Sequence, residues 1–220
     1  MLSGTVTSIF GDDINTDDII PAMYLIKSDD PEYFATYAFT KFDPDFRNRC
    51  LRSQANIIVA GKNFACGSSR EQAVYTLQFN RVVCVIAQSF PDIFYRNCLA
   101  NGLPLITVED LGSLGLGDQL EIDLDAGLIR NRTRNASLPF QIKADDRRTF
   151  QAGGMTARVR AHLEEILTRQ RCATRPRRPP GAERWDRRSL RKSCHVKRAG
   201  RSTLAIRSSA CPSPSCSSTT

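Results

Sequence analysis

Residues 56–87 read NIIVAGKNFACGSSREQAVYTLQFNRVVCVIA, and this stretch decides the fold class. The apolar runs at 56–60 and 82–87 have no polar alternation, which is typical of strands that are covered on both faces. Between them, residues 71–79 repeat apolar side chains at helical spacing. The stretch therefore predicts a strand, a helix and a second strand parallel to the first.

The sequence on either side extends this pattern. Residues 90–98 again have helical spacing, Asn101-Gly102 is a typical helix stop, and residues 103–108 predict another strand. Residues 5–9 and 120–124 alternate apolar and polar side chains, as half-solvated strands do. We predict an α/β fold with a parallel strand-helix-strand centre and a mixed, barrel-like sheet flank.

The last predicted helix has one apolar stripe, whose members follow helical spacing after Gly153-Gly154. They are Met155, Val159, Leu163, Ile166 and Leu167. We expect this stripe to face the core, with His162 at its border in a packing role.

The charge of the chain is divided unevenly. The net charge is +8, but residues 1–170 contain 18 Lys and Arg against 21 Asp and Glu, and residues 171–220 contain 13 against 2. The second segment has only four residues from Leu, Ile, Val and Phe, too few to offset the entropy of ordering it. We predict a folded domain at 1–170 and a disordered basic tail at 171–220.

The basic tail permits two interpretations. It is either an electrostatic tether to nucleic acid or another acidic partner, or an extension without a role of its own. The second is favoured because Trp185 is its only aromatic residue and no recognition module is present. Nucleic acid is therefore not an expected partner.

Neither a signal peptide nor a membrane span is recognisable in the sequence. We therefore expect a cytoplasmic protein, without a membrane partner, whose cysteines are free thiols. No two cysteines of the predicted folded domain have the two-residue spacing of a zinc or cluster site. No metal site is expected in this chain.

The segment with the clearest chemical content is GKNFACGSSRE at 61–71, between a predicted strand and a predicted helix. Ligands of open α/β sheets bind at this end of a strand. It is not a phosphate-binding loop, because Ser68 follows Gly67 where Lys is required, and it lacks the three-glycine dinucleotide fingerprint. It combines backbone amides at a helix start with two hydroxyls and a guanidinium, which suits a carboxylate anion.

Ser68 has two possible roles. Ser68 and Glu71 fit a capping box, in which Ser68 is the N-cap residue and Glu71 bonds back to its amide. Alternatively, Ser68 is a base or ligand for an acidic substrate, which requires positive potential from Arg70 and a metal ion. A reactive Cys66 is disfavoured because the only histidine of the predicted folded domain is His162, on a stripe predicted to face the core.

A second signal is GDDINTDDIIP at residues 11–21, a dense acidic loop. It does not fit a calcium loop beginning at Asp13, because the sixth position is Asp18 instead of Gly and the twelfth is Tyr24 instead of Glu. The alternative is a set of Asx turns and a helix cap.

Five segments occur in a characteristic order and spacing: 11–21, Tyr24-Leu25, 63–73, 94–97 and 101–104. Together they resemble the small subunits of 3-isopropylmalate dehydratase, the separate-chain version of the swivelling domain of aconitase. The resemblance covers roughly residues 3–169. It implies a swivelling β/β/α domain and a hydro-lyase that is active only with a large subunit. That partner is expected to hold a [4Fe-4S] cluster on its own cysteines, so no cofactor is expected in this chain.

The resemblance also implies roles for the site residues. Ser68 corresponds to the serine that abstracts the proton beside a substrate carboxylate, and Arg70 to the arginine that binds carboxylate. Ser69 and Gly67 are expected to line the same anion pocket. The partner's cluster is expected to act as a Lewis acid and to supply the positive potential that Ser68 lacks in this chain.

Tyr24, Leu25 and Ile26 are expected to contribute to substrate choice. Members of the family for isopropylmalate resemble Tyr-Leu followed by an aliphatic residue, and those for homoaconitate have Arg at that place. Ile26 therefore favours isopropylmalate, a hydroxy-diacid of leucine biosynthesis, although Lys27 departs from both patterns. The alternatives are a hydro-lyase subunit for homoaconitate, citraconate or 2,3-dimethylmalate, and a nucleic-acid-associated protein that acts through its tail.

Overall fold

The computed structural model describes the backbone of residues 1–173 and the side chains of residues 1–169. Its strands are β1 (Leu2–Phe10), β2 (Asn56–Ala60), β3 (Val82–Ala87), β4 (Leu105–Thr107), β5 (Gln119–Asp123), β6 (Leu128–Asn131) and β7 (Ala136–Pro139). Its helices are α1 (Thr16–Ile19), α2 (Ala22–Leu25), α3 (Pro31–Thr36), α4 (Phe46–Leu51), α5 (Glu71–Phe79), α6 (Asp92–Asn101), α7 (Ala144–Gln151) and α8 (Met155–Ala173). The predicted tail at 171–220 lies outside the described residues except for 171–173, so its disorder and its boundary stay predictions.

The strands form one mixed sheet in the order β4-β3-β2-β1-β5-β6-β7. Pairing is parallel from β1 through β2 and β3 to β4. It is antiparallel from β1 through β5 and β6 to β7. Both predicted strand-helix-strand units and the predicted mixed flank are confirmed.

The central strand β2 is buried at every position. Ile58 and Ala60 pack into a cluster with side chains of the helices that follow β1, β2 and β3. Ile57 and Val59 pack into a second cluster with side chains of β5 and β6. Because successive strand residues point to opposite faces, β2 separates two hydrophobic cores. This burial on both faces explains why its sequence lacks polar alternation.

The sheet curls towards a barrel. The end of β4 and the strand β7, which are the two edges of the sheet, line the same cleft of about 630 Å³. The barrel-like flank predicted from the alternating segments therefore results from the antiparallel strands that continue the sheet beyond β1.

Helix α6 ends at the predicted stop signal. Gly102 follows it with φ of +74°, and a Cβ there would lie 2.3 Å from the carbonyl carbon of Gly153. Glycine is required both by this left-handed conformation and by this close approach of another backbone segment. The turn directs the chain into β4.

The prediction that the apolar stripe of α8 faces the core is wrong for the described residues. Met155, Val159, Leu163, Ile166 and Leu167 are all exposed, with fractions between 38% and 54%. Helical periodicity identifies an apolar stripe but does not say which surface covers it. Within the described residues α8 packs against α6 and α7, and its apolar stripe stays exposed.

Several short elements were not predicted. The helices α1 to α4 have four to six residues each, too few for two turns of a repeating pattern. The strand β7 and the helix α7 were also missed. None of the helices within residues 1–173 has the length and apolar composition needed to cross a membrane.

Candidate active site

Two loops meet at the carboxyl edge of the parallel strands. The acidic loop, residues 11–21, follows β1, and the serine loop, residues 61–70, follows β2. Because β1 and β2 are parallel neighbours, both loops leave the sheet at the same edge, where α/β proteins bind ligands. The structure therefore brings together the two segments that carried chemical signals in the sequence.

Hydrogen bonds join the acidic loop to the serine loop. The Cys66 amide donates to Ile14 O at 3.1 Å, and the Thr16 amide donates to Cys66 O at 2.8 Å. The Thr16 hydroxyl donates to the Ser68 carbonyl at 3.1 Å. The acidic loop thus holds the backbone from which the Ser68 side chain projects.

The acidic loop contains a helix cap and a carboxylate contact to the serine loop. Asn15 Oδ1 accepts from the Asp18 amide at 2.8 Å, and Asp18 Oδ2 accepts from the Asn15 amide at 3.0 Å, which forms a capping box on α1. Asp12 Oδ1 accepts from the Lys62 amide at 2.7 Å. The helix cap expected in this segment is confirmed, whereas the Asp12 carboxylate bonds to the serine loop and the Asx turns stay a prediction.

Of the two roles that the sequence left open for Ser68, the capping box on α5 is contradicted. The helix begins at Glu71 and its N-cap residue is Arg70, which has extended backbone and makes no side-chain cap bond. Ser68 lies two residues earlier, is exposed, and its hydroxyl has no hydrogen-bond partner among the described residues. The side chain of Arg70 bonds to the acidic loop instead. The Ser68 hydroxyl is consequently available for chemistry.

The backbone around Ser68 is also available to a ligand. The amides of Gly67, Ser68 and Ser69 donate no hydrogen bond within the described part of the chain, and all three residues are exposed. Ser69 Oγ accepts a long hydrogen bond from Asn97 Nδ2 of α6, at 3.4 Å. Adjacent unpaired amides and two hydroxyls form a surface that suits a carboxylate.

Arg70 links the two loops through its guanidinium. Arg70 Nη1 donates to Asp17 Oδ1 at 3.0 Å and to Ile20 O at 3.0 Å. The Arg70 side chain is 16% exposed. Its Nε and Nη2 atoms have no partner among the described residues and remain for an anion.

Asp17 is a site residue that the sequence analysis did not single out. Its Oδ1 atom also accepts from the Ala22 amide at 2.9 Å, and Lys41 Nζ lies 3.4 Å from Oδ2. The Ala22 amide and then the Arg70 guanidinium lower the pKa of the Asp17 carboxyl from its ordinary value of 3.8. Asp17 is therefore a carboxylate that orients Arg70. Sequence alone did not indicate Asp17 as a site residue, because it did not show that β1 and β2 are neighbours and that their loops therefore meet.

The predicted specificity segment is attached to this site at one end. The Ala22 amide on Asp17 anchors the start of α2, whereas Tyr24 stacks on Tyr37 with ring centroids 4.1 Å apart. Ile26 is 87% exposed. No hydrogen bond within the described residues joins Tyr24, Leu25 or Ile26 to the serine loop, so their place in the pocket stays a prediction.

Three of the four described cysteines are buried in the core and only Cys66 lies in the serine loop. Within residues 1–169 no three His, Cys, Asp or Glu side chains are grouped to hold a metal ion. Burial raises the pKa of Cys50 to about 11 and also raises the pKa of Cys84 and Cys98, which disfavours the thiolate form that binds metals. Cys66 is half-exposed, and its Sγ donates to Asp13 O at 3.6 Å.

Comparison with known proteins identifies relatives that share this architecture. Residues 3–110 match the Aconitase C-terminal domain model. The chain is 37% identical over 168 residues to the 3-isopropylmalate dehydratase small subunit of Lachnoclostridium phytofermentans, covering 76% of this chain and 100% of that protein. It is 40% identical over 158 residues to the isopropylmalate/citramalate isomerase small subunit of Methanocaldococcus jannaschii, covering 71% of this chain and 92% of that protein.

A solved structure agrees with these sequence matches. The crystal structure of 3-isopropylmalate dehydratase from Methanocaldococcus jannaschii superposes with a TM-score of 0.68 at 36% identity, covering 76% of this chain and 98% of that chain. At this identity and coverage, the matches show the family as well as the fold. The chain therefore belongs to the 3-isopropylmalate dehydratase small-subunit family, a family of hydro-lyase subunits built on the aconitase C-terminal domain.

Proposed function

We propose that this protein is the small subunit of an isopropylmalate isomerase, which interconverts 2-isopropylmalate and 3-isopropylmalate in leucine biosynthesis. The observation that carries the proposal is the exposed Ser68 hydroxyl, which takes no part in a helix cap and lies on the same loop as the unpaired amides of residues 67–69 and as Arg70. Two relatives named for isopropylmalate support the substrate class.

Ser68 is the proposed base. It takes the proton from the carbon beside a substrate carboxylate, the C–H electron pair becomes the C=C bond, and the C–O bond on the neighbouring carbon breaks with its electron pair leaving on the hydroxide. Addition of water with the two positions exchanged gives the isomer. A serine hydroxyl is a weak base, so its alkoxide requires strong positive potential at the site. Arg70 and the amides of residues 67–69 supply part of that potential.

Arg70, Ser69 and Gly67 are the proposed carboxylate-binding residues. Arg70 is held by Asp17 through Nη1, which leaves Nε and Nη2 to bind a carboxylate. This arrangement binds the anion without first reorganising the guanidinium. The Ser69 hydroxyl and the Ser68 amide, which follows Gly67, bind the same carboxylate from the serine loop.

The reaction requires a second subunit in this proposal. The resemblance implies a [4Fe-4S] cluster on a large subunit, and the words small subunit in the names of the relatives agree with such a partner. When bound, the cluster supplies a Lewis acid for the departing hydroxyl. This chain supplies the base and the residues that bind the substrate carboxylate. We also propose a cytoplasmic location, because the four described cysteines are free thiols.

Ile26 supports an apolar substituent on the substrate. Ile26 is 87% exposed and lies on the segment whose start bonds to Asp17 through the Ala22 amide. An exposed aliphatic side chain gains from covering an isopropyl group, whereas an extra carboxylate requires a cation. Citraconate is the second candidate substrate, because one relative is named for citramalate as well. Homoaconitate and 2,3-dimethylmalate are the remaining alternatives.

Co-expression with the large subunit tests the proposal. The reconstituted complex is assayed without oxygen against 2-isopropylmalate, citraconate, homoaconitate and 2,3-dimethylmalate, with each subunit alone as the control. We expect the highest kcat/KM with 2-isopropylmalate and no turnover by the small subunit alone. A higher kcat/KM with another of these acids overturns the substrate assignment, and turnover by this chain alone overturns the two-subunit mechanism.

A further inference from the structure

We propose that Thr16 is a positioning residue for Ser68, an inference that rests on the proposed role of Ser68 as the base. Thr16 is the first residue of α1 and is 2% exposed. Its buried side chain belongs to the acidic loop, yet its hydroxyl bonds to the carbonyl of Ser68 on the serine loop. Thr16 acts by holding that loop in place.

The serine loop has an anchor on each side of Ser68. Before it, Cys66 is held by backbone bonds with Ile14 and Thr16. After it, Arg70 is held by Asp17. The amides of the three residues between these anchors make no hydrogen bond within the described chain. The bond from Thr16 Oγ1 to the Ser68 carbonyl, at 3.1 Å, therefore restrains the backbone of the proposed base itself.

Gly67 makes this restraint necessary. Gly67 is exposed and has φ of +94°, and a Cβ at this position would lie 3.6 Å from Thr16 Oγ1. A glycine at this position can rotate more freely than any other residue, so the chain beyond it is not fixed by Cys66. A base must lie within hydrogen-bond reach of the proton that it takes, and a displacement of about 1 Å can cost about 100-fold in rate.

Three substitutions separate positioning from simple stability. Thr16→Val removes the hydroxyl but keeps the shape of the side chain and the hydrogen bond from the backbone amide of residue 16 to Cys66 O. Thr16→Ser keeps the hydroxyl and is the conservative rescue. Thr76→Val is the matched control, because Thr76 is 0% exposed and its hydroxyl donates to the Gln72 carbonyl at 2.7 Å within α5.

In the two-subunit complex we expect Thr16→Val to lower kcat by about 10- to 100-fold and to change KM by less than about threefold. With substrate deuterated at the carbon that loses its proton, the isotope effect on kcat rises, because a displaced base slows that step. A loss of folded enzyme lowers kcat without changing the isotope effect. Thr16→Ser and Thr76→Val keep both values near those of the wild type.

Backbone ¹⁵N relaxation of the full chain gives a readout that does not depend on turnover. We expect the heteronuclear NOE of Gly67, Ser68 and Ser69 to fall in Thr16→Val and to stay unchanged in Thr16→Ser and Thr76→Val. An unchanged NOE in Thr16→Val, or an isotope effect that does not rise, overturns the role of Thr16. If the complex does not turn over isopropylmalate but the NOE pattern holds, the substrate proposal fails and the restraint by Thr16 stands.

Should Thr16→Val not fold, Thr16→Cys replaces the hydroxyl by a weaker S–H donor in a side chain of similar size. It is expected to give smaller changes in the same direction in both measurements. Wild-type values in this variant contradict the role of Thr16.

Discussion

Replacing Ser68 by Ala distinguishes a catalytic serine from a helix cap through stability and turnover together. If Ser68 capped α5, its loss would cost about 0.5 to 2 kcal/mol of unfolding free energy. In the structure the N-cap residue is Arg70, and the Ser68 hydroxyl is exposed and has no partner among the described residues. The expected cost is therefore within about 0.5 kcal/mol, as for other exposed positions.

Asn15→Ala is the matched control for this experiment. Asn15 is the N-cap residue of α1, and its side chain accepts from the Asp18 amide at 2.8 Å. Its loss is expected to cost about 1 kcal/mol. In a chain of this size that corresponds to a fall in Tm of roughly 2 to 4 °C, whereas Ser68→Ala leaves Tm within about 2 °C of the wild type.

The turnover of the two-subunit complex completes the test. Removal of a general base typically costs between about 100- and 10,000-fold in rate, so Ser68→Ala is expected to lose at least about 100-fold in kcat. Co-purification with the large subunit measures assembly, which should be unchanged. A Ser68→Ala variant that loses about 1 kcal/mol of stability and retains more than about a tenth of its turnover would refute the assignment of Ser68 as base and restore its role as a cap.

Three further predictions concern the surroundings of Ser68 and the tail. Asp17→Asn is expected to cost about 1 kcal/mol at pH 7, a value reduced by the 42% exposure of the Asp17 side chain. The pKa of Asp17 is lowered in the folded chain, so its contribution to stability is present above the ordinary value of 3.8 and is lost as the pH falls below it. The difference in Tm between wild type and variant should therefore close in acid. A difference that persists in acid contradicts the ion pair. Ile26→Arg is expected to shift the ratio of kcat/KM values from isopropylmalate towards homoaconitate, and an unchanged ratio removes Ile26 from the pocket. Deletion of residues 174–220, which keeps α8 entire, should leave turnover of the complex unchanged, and loss of a salt-sensitive interaction with nucleic acid would instead support the tether.

The parallel centre of the fold could be predicted because its sequence patterns are local and unbroken. The helix at 71–79 and the strands at 56–60 and 82–87 have the predicted bounds. The short helices between β1 and β2 could not be predicted, because one turn of helix leaves no period to detect. The packing of α8 was predicted wrongly, because an apolar stripe is consistent with a core or with an exposed surface.

For the site, the sequence indicated the serine loop and the acidic loop but not their contact. Ser68 was consistent with a cap or a base, since the spacing to Glu71 satisfies the capping pattern. The structure decides against the cap because α5 begins at Glu71 with Arg70 as its N-cap residue and without a side-chain cap bond. Asp17 and Thr16 were missed as individual site residues because their partners lie more than 50 residues away along the chain.

The amino-acid sequence by itself determined the composition of the site and the local elements that present it: a buried strand, a loop with two hydroxyls and a guanidinium, and a helix. Only the tertiary structure decided which groups are available. Strand pairing places the acidic loop against the serine loop, and this contact uses Arg70, Asp17 and Thr16 for orientation while leaving the Ser68 hydroxyl without a partner. The physical reason is that hydrogen-bond satisfaction depends on neighbours in space, which local sequence patterns do not specify.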